Sequence, residues 1–253
     1  MKKIVLVIIA LAVYQISYQQ AGGDTSPTIF NGAGSFSNLS GPLVDVNAVL
    51  LNSNGLKFAT NKKVEGTPFF SSEWNWGYIQ ISKGVIIDSI QIRYNALNNE
   101  LHFKDGEKEY YIDEGFIQFG YNYADKTGQL KKIFRNGFPV SGKNTSKTNY
   151  NVLAGSDILL LKSVTKDFHE MKSLDGQTFY RISDEEAYYV FNTLDSSITK
   201  IRKGVQQLEA DLPKLKDQIS NICTKENLKC KTEADLIRLF SSLSAKPDKL
   251  KAF

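Results

Sequence analysis

Histidine is scarce in this chain: His102 and His169 are the only two. They lie far from each other and from both cysteines, and neither has a metal-ligand partner at close spacing. No metal and no cofactor is expected. Both histidines fall in strand-like segments, His102 on a polar face and His169 beside Glu170, and the plain reading of each is an exposed bystander. The nucleophile-elbow pattern G-x-S-x-G is missing too, so nothing singles out one serine. No catalytic residue is assigned.

Charge of one sign is not in excess. Lys and Arg total 31 against 27 Asp and Glu, a formal net charge of +4 to which Lys2 and Lys3 contribute. That balance gives no reason to expect nucleic acid. Long apolar runs are absent. Ile4 to Ala12 is a nine-residue stretch, well short of the roughly 20 residues that a membrane helix needs. No transmembrane segment is expected in the mature chain.

The short apolar run has its own meaning. Lys2 and Lys3 precede it and the polar YQISYQQ follows, the pattern of an export signal over residues 1–21. Cleavage is expected between Tyr18 and Ala21. Ala10-Leu11-Ala12 offers the right small residues but would leave an unusually short signal. The competing reading is a buried N-terminal helix. No cysteine lies nearby, which excludes lipid attachment through an N-terminal cysteine. The expected location is therefore periplasmic or secreted. Roughly 230 residues remain, enough for one large β domain or a domain with an appendage.

What is present is alternation. Leu97, Leu101 and Phe103 share one parity, while Asn98, Glu100, His102 and Lys104 share the other, so one face should be buried and one wet. Ile86, Ile90, Ile92 and Tyr94 alternate likewise, with Asp88 as the exception. Breaks at Lys83-Gly84, Asn98-Asn99 and Asp105-Gly106 carry residues that tolerate hairpin turns. The chain predicts a mainly β fold: an antiparallel meander forming a sandwich or partly open barrel, with a C-terminal helical hairpin.

Residues 22–41 are rich in Gly, Ser, Asn and Thr and read as a flexible leader, with a short strand near Thr28 to Phe30. Residues 42–202 read as the β domain, two meanders joined by 136–149. Leu43 to Leu51 and Leu56 to Thr60 are candidate strands. In the second meander, strands are expected at Tyr150 to Leu153, Ile158 to Leu161, Phe168 to Lys172, Thr178 to Ser183, Ala187 to Asn192 and Ile198 to Ile201. Asp175-Gly176, Asp184-Glu185 and Asp195-Ser196 would supply turns. Residues 203–244 read as a helical appendage, because Leu208, Leu212, Leu215, Ile219 and Ile222 fall on one helical face. Asp211 is placed as a cap with Pro213 in the first turn after it. Thr232 to Asp235 resembles a capping box for a last helix carrying Leu236, Leu239, Phe240 and Leu243 inward. Residues 245–253 read as a frayed tail.

Few motifs suggest chemistry. Gly137 to Lys143, GFPVSGK, has P-loop spacing, but Asn144 replaces the metal-binding hydroxyl and NTSKTN is a poor helix, so it reads as a loop. Asp113-Glu114 and Asp184-Glu185-Glu186 are carboxylate groups at expected turns, where charges are ordinarily just solvated. Trp74, Trp76 and Tyr78 share one parity and are the candidate ligand surface for a glycan or peptide; the plainer reading places such rings in the core and rim of a sheet. Asp88-Ser89-Ile90 fits a short O-glycosylation acceptor pattern of some Gram-negative bacteria. Asn144-Thr145-Ser146 fits the N-glycan acceptor, which matters only in a eukaryote.

Several strings together resemble an uncharacterised family of exported Gram-negative β-meander proteins with a helical C-terminus. They are W-x-x-G-x-I from Trp74, V-x-x-x-x-I-x-I-R-Y-N from Val85, N-N-E-L from Asn98, F-R-N-G-F-P from Phe134 and E-A-D-L-I-R-L-F from Glu233. The resemblance transfers no functional residues. It implies residence in the periplasm, since the chain end lacks a β-rich sorting domain.

Cys223 and Cys230 are the only cysteines. An even pair in an oxidising compartment is expected to form a disulfide, closing the connection between two helices. The expected role is that of an exported, non-enzymatic β scaffold that binds a ligand or serves the envelope structurally. A glycan or peptide would lie on the sheet, or an envelope protein would dock on the C-terminal helices. The alternative is a hydrolase of an envelope or extracellular polymer, working through paired carboxylates.

Overall fold

A computed structural model describes residues 29–31, 63–81, 85–112, 115–125 and 128–244. The expected signal, the strands at Leu43 to Leu51 and Leu56 to Thr60, the Lys83-Gly84 turn, Asp113-Glu114 and the 245–253 tail lie outside the described residues. Of the 22–41 leader, only β1 (Ile29–Asn31) is described, and it pairs in parallel with Ile86–Asp88.

The other strands are β2 (Val64–Glu65), β3 (Asn75–Ile81), β4 (Ile86–Asn95), β5 (Glu100–Asp105), β6 (Lys108–Ile112), β7 (Phe116–Asp125), β8 (Gly128–Arg135), β9 (Tyr150–Ala154), β10 (Ile158–Lys172), β11 (Thr178–Asn192) and β12 (Ser197–Ile201). They form one continuous sheet in the order β12-β11-β10-β9-β8-β7-β3-β4-β5-β6, with β1 on β4 and β2 on β11. The path is antiparallel throughout; β1 and β2 join in parallel. The 136–149 connection links the sheet neighbours β8 and β9.

The sheet curls but does not close. Tyr94 on β4 and Phe134 on β8 stand three strand steps apart, about 14 Å in a flat sheet. Their ring centroids lie 5.2 Å apart. Ile79, Ile92, Leu101, Phe103 and Phe119 fill the same concave core.

Two hairpin expectations need correction. Ile158 to Lys172 is one fifteen-residue strand, and Thr178 to Asn192 is its equally long partner. Asp184-Glu185 is no turn. Asp184 pairs with Lys166 across the hairpin at 2.5 Å, Glu186 with Lys162 at 2.8 Å, and Glu185 meets Lys143. Opposite charges across a ladder stabilise strand where a polar run suggested a break. The Asp105-Gly106, Asp175-Gly176 and Asp195-Ser196 turns stand where expected, with Gly106, Gly176 and Ser196 at positive φ.

The C-terminal helices are α1 (Val205–Asp211), α2 (Lys216–Lys225) and α3 (Glu233–Ser244), with a 3₁₀ turn at Pro213–Leu215 between the first two. Asp211 ends α1 rather than capping a helix. Its carboxylate accepts from the Arg202 backbone N–H at 2.8 Å and from Arg202 Nη2 at 2.7 Å. Thr232 does cap α3, its Oγ1 accepting from Asp235 N–H at 3.1 Å. Leu208, Leu212, Ile219, Leu236, Leu239 and Phe240 share a core with Leu160, Tyr188, Val190 and Ile201 of the sheet. Glu233 fixes that docking by accepting from Lys162 Nζ at 2.8 Å and Tyr188 OH at 2.7 Å. Cys223 and Cys230 are buried thiols whose sulfurs lie 3.3 Å apart, in contact but not bonded.

Candidate functional site

β3 runs through the middle of the sheet, between β4 and β7. Its period of two sends Ile79 into the core and Trp76 and Tyr78 to the convex face. Trp76 is 62% exposed, which is unusual for the side chain with the most apolar area to bury.

The surroundings of Tyr78 are shaped by two local devices. One is a β-bulge. Gly77 opposes Ile90 and Ile79 opposes Ile87, so Asp88 and Ser89 both sit across from Tyr78. Ser89 takes φ 56°, and its N–H bonds to Asp88 Oδ1 at 2.7 Å. The bulge also explains why Asp88 broke the apolar alternation. The buried parity is Ile87 before it and Ile90, Ile92, Tyr94 after it. The second device is Gly120, opposite Tyr78 on β7. A Cβ there would lie 2.7 Å from Tyr78 Cε1, so the glycine lets the tyrosine ring lie across its neighbour strand.

The result is an open groove of about 440 Å³, lined by Trp76, Tyr78, Asp88, Ser89, Asn122 and Lys131. Tyr78 OH accepts from Gln118 Nε2 at 2.7 Å, and Lys131 Nζ lies 5.8 Å from the tyrosine ring centroid. Burial raises the Tyr78 pKa; the Gln118 bond opposes this and the Asp88 charge adds to it, so the phenol stays neutral. On the other side of Trp76 is a smaller hollow of about 180 Å³ that Gln91, Lys104 and Asp105 line.

Trp74 has a different fate from its two companions. The Arg93 guanidinium is stacked 3.8 Å from the Phe69 ring centroid and 4.4 Å from that of Trp74, and Lys104 Nζ lies 4.7 Å from the latter. The indole thus covers an ionic cluster. Arg93 Nη2 donates to Glu109 Oε1 at 2.6 Å, and the same oxygen meets His102 Nδ1 at 2.8 Å. His102 Nε2 faces Glu100 Oε2 at 3.4 Å. His102 is 0% exposed, which corrects its reading as an exposed bystander on a wet face. Phe69, which bridges to Asn95 from outside the strand, lays its ring edge-on to the imidazole at 5.2 Å and shuts water out. Burial alone would lower the His102 pKa. Hydrogen bonds and charges from Glu100 and Glu109 outweigh that, and the imidazole is held above its ordinary value. Burial would raise Glu109, but His102 and Arg93 prevail and hold it below the carboxylate range.

The remaining candidates do not assemble a reaction centre. GFPVSGK is a loop followed by no helix, and its Lys143 pairs with Glu185. It walls an open cleft of about 640 Å³ with Thr165, Tyr189 and Lys200. His169 Nε2 meets Ser183 Oγ at 3.0 Å on the exposed face of the long hairpin, and no carboxylate bonds its other nitrogen among the described residues. There, no group of three His, Cys, Asp or Glu could hold a metal ion, and no helix is long and apolar enough to cross a membrane.

The sequence marked Trp76 and Tyr78 and missed Gln118, Gly120, Asn122 and Lys131, which come from strands paired only in the fold. Asp88 and Ser89 were visible as a parity fault and a modification pattern, not as groove residues. Comparison with known protein families, curated proteins and solved structures finds no match.

Proposed function

We propose that the protein is an exported, non-enzymatic binding scaffold that holds its ligand on the convex face of the sheet around Trp76. The observation that carries this is an indole 62% exposed beside a polar groove, on a central strand whose backbone is already paired. An exposed aromatic next to convergent polar groups is what a recognition surface needs. The C-terminal helices turn their apolar faces to the sheet, so an envelope partner docking there would meet mainly polar sides, with Ile222, Ile237 and Leu243 only partly covered. That favours the sheet face as the binding surface.

The hydrolase alternative requires a carboxyl group kept protonated near neutrality. The perturbed carboxyl groups among the described residues, Glu109, Glu185 and Glu233 among them, are all pushed down instead. The export signal and the resemblance to exported Gram-negative β-meander proteins support a periplasmic or secreted location, where Cys223 and Cys230 would bridge. To test the binding role, wild-type protein and the Trp76→Ala variant are probed on arrays of soluble glycans and peptides. The variant should lose what the wild type captures. Equal capture by a folded variant would sink the reading.

A further inference from the structure

We infer that the ligand of this face is carbohydrate: an uncharged oligosaccharide strand laid across Trp76, with sugar units in the hollows on either side. This rests on the binding role proposed above and names its ligand class.

The argument is one of available groups. A peptide bound by strand addition needs a free sheet edge with unpaired N–H and C=O groups. β3 has none to offer, because β4 and β7 flank it. Even the bulge keeps its own donor occupied, with Ser89 N–H on Asp88 Oδ1 at 2.7 Å. What projects from the face is ring surface and short polar tips. Trp76 supplies a broad apolar plane that matches the C–H face of a pyranose. Asp88, Ser89, Asn122 and Lys131 supply acceptors and donors for hydroxyl groups on one side. Gln91, Lys104 and Asp105 do the same on the other.

Charge narrows the class further. Each hollow carries one carboxylate and one ammonium, Asp88 with Lys131 and Asp105 with Lys104. Neither sign dominates, so the face has no field to gather a polyanion. Both hollows are open, and Trp76 is the ridge between them. A chain passing over the ridge reaches both, while a single sugar reaches one.

The test uses the purified protein and linear gluco-, manno-, galacto- and xylo-oligosaccharides of one to six units, followed by tryptophan fluorescence and calorimetry. Matched acidic oligosaccharides and extended neutral peptides are run beside them. At least one neutral series should bind, with affinity rising from one unit to about three and then levelling. Trp76→Ala should weaken it about tenfold or more, and Asp88→Asn severalfold, with unchanged circular dichroism. Peptide binding that depends on Trp76, without sugar binding, would overturn the ligand class and leave the binding face standing. Preference for the acidic sugars would overturn the uncharged class alone. Sugar binding unmoved by Trp76→Ala would overturn the site. If neither sugar nor peptide binds, the inference and the binding role fall together.

Discussion

Oxidising the thiol pair should stabilise the fold by an amount that can be worked out beforehand. Cys223 lies near the end of α2 and Cys230 just before the cap of α3, with sulfurs 3.3 Å apart. A bond needs about 2.0 Å, so only a small local approach is required. The segment is already fixed at both ends: Leu228 N–H bonds to Cys223 O at 2.9 Å, and Cys230 O accepts from Gly204 N–H at 2.8 Å. Cys230 already holds φ 53° in the unbonded form. Closing a ring this short removes about 2.5 kcal/mol of unfolded-chain entropy. For a chain of this size each kcal/mol moves Tm by roughly 2–4 °C, so the oxidised form should melt about 5–10 °C higher.

The rate is a separate matter. Burial pushes the Cys223 thiol up and the Cys230 thiol up to about 12, so almost no thiolate is present near neutrality. Folded, reduced protein should therefore oxidise slowly, and the unfolded chain quickly. Melting curves with and without reductant, with Cys223→Ser/Cys230→Ser as the unbridged reference, measure the gain. Mass spectrometry of alkylated protein from a periplasmic preparation counts the thiols. Two alkylated cysteines in that material, or a Tm indifferent to reductant, would refute the reasoning.

Two further outcomes follow from the packing of β5 and β3. Replacing His102 by Leu leaves Glu100 and Glu109 facing an apolar group under Phe69 and Trp74, and should cost about 3 kcal/mol in urea unfolding. The folded His102 pKa lies above its unfolded value of about 6.5, so its contribution is complete below that pH and fades as pH rises through the folded value; the variant's unfolding midpoint should lack this alkaline-side loss. Gly77→Ala places a Cβ 2.2 Å from Gly120 O and 2.9 Å from Tyr121 Cβ, where backbone cannot yield, and should cost about 3 kcal/mol or more by thermal melting; a variant as stable as wild type would mean that β3 and β7 are not packed as described.

Alternation made the strands of the first meander and the helical face of Leu208 to Ile222 legible, because period is a local property. It failed where the deciding contacts are distant. Residues 162–167 fall between expected strands and Asp184-Glu185 reads as a turn, yet Val164 to Lys166 pair with Asp184 to Glu186 in the middle of the long hairpin. The polar parity of β5 read as wet, yet His102 on it is dry. Neither Phe69 nor the register Arg93↔His102 is visible from periodicity within β5. Within the site, a shared parity correctly put Trp74, Trp76 and Tyr78 on one side. What separated them was Arg93 beneath the first and the bulge beside the third.

That separation divides the convex face into a closed half and an open half. In the closed half, Arg93, His102 and Glu109 tie β4, β5 and β6 together from above, under two aromatic lids. The core face of the same strands is held by Ile92, Leu101, Phe103 and Ile112. Strands fixed on both faces cannot easily shift, and Lys104 and Asp105 are carried on β5. The buried cluster therefore sets the position of one wall of the hollow beside Trp76, while Gly120 and the Ser89 bulge set the other. Groups held this firmly lose little freedom when a ligand arrives. An exposed indole between two such walls is better suited to hold a chain in one register than an indole on a mobile loop.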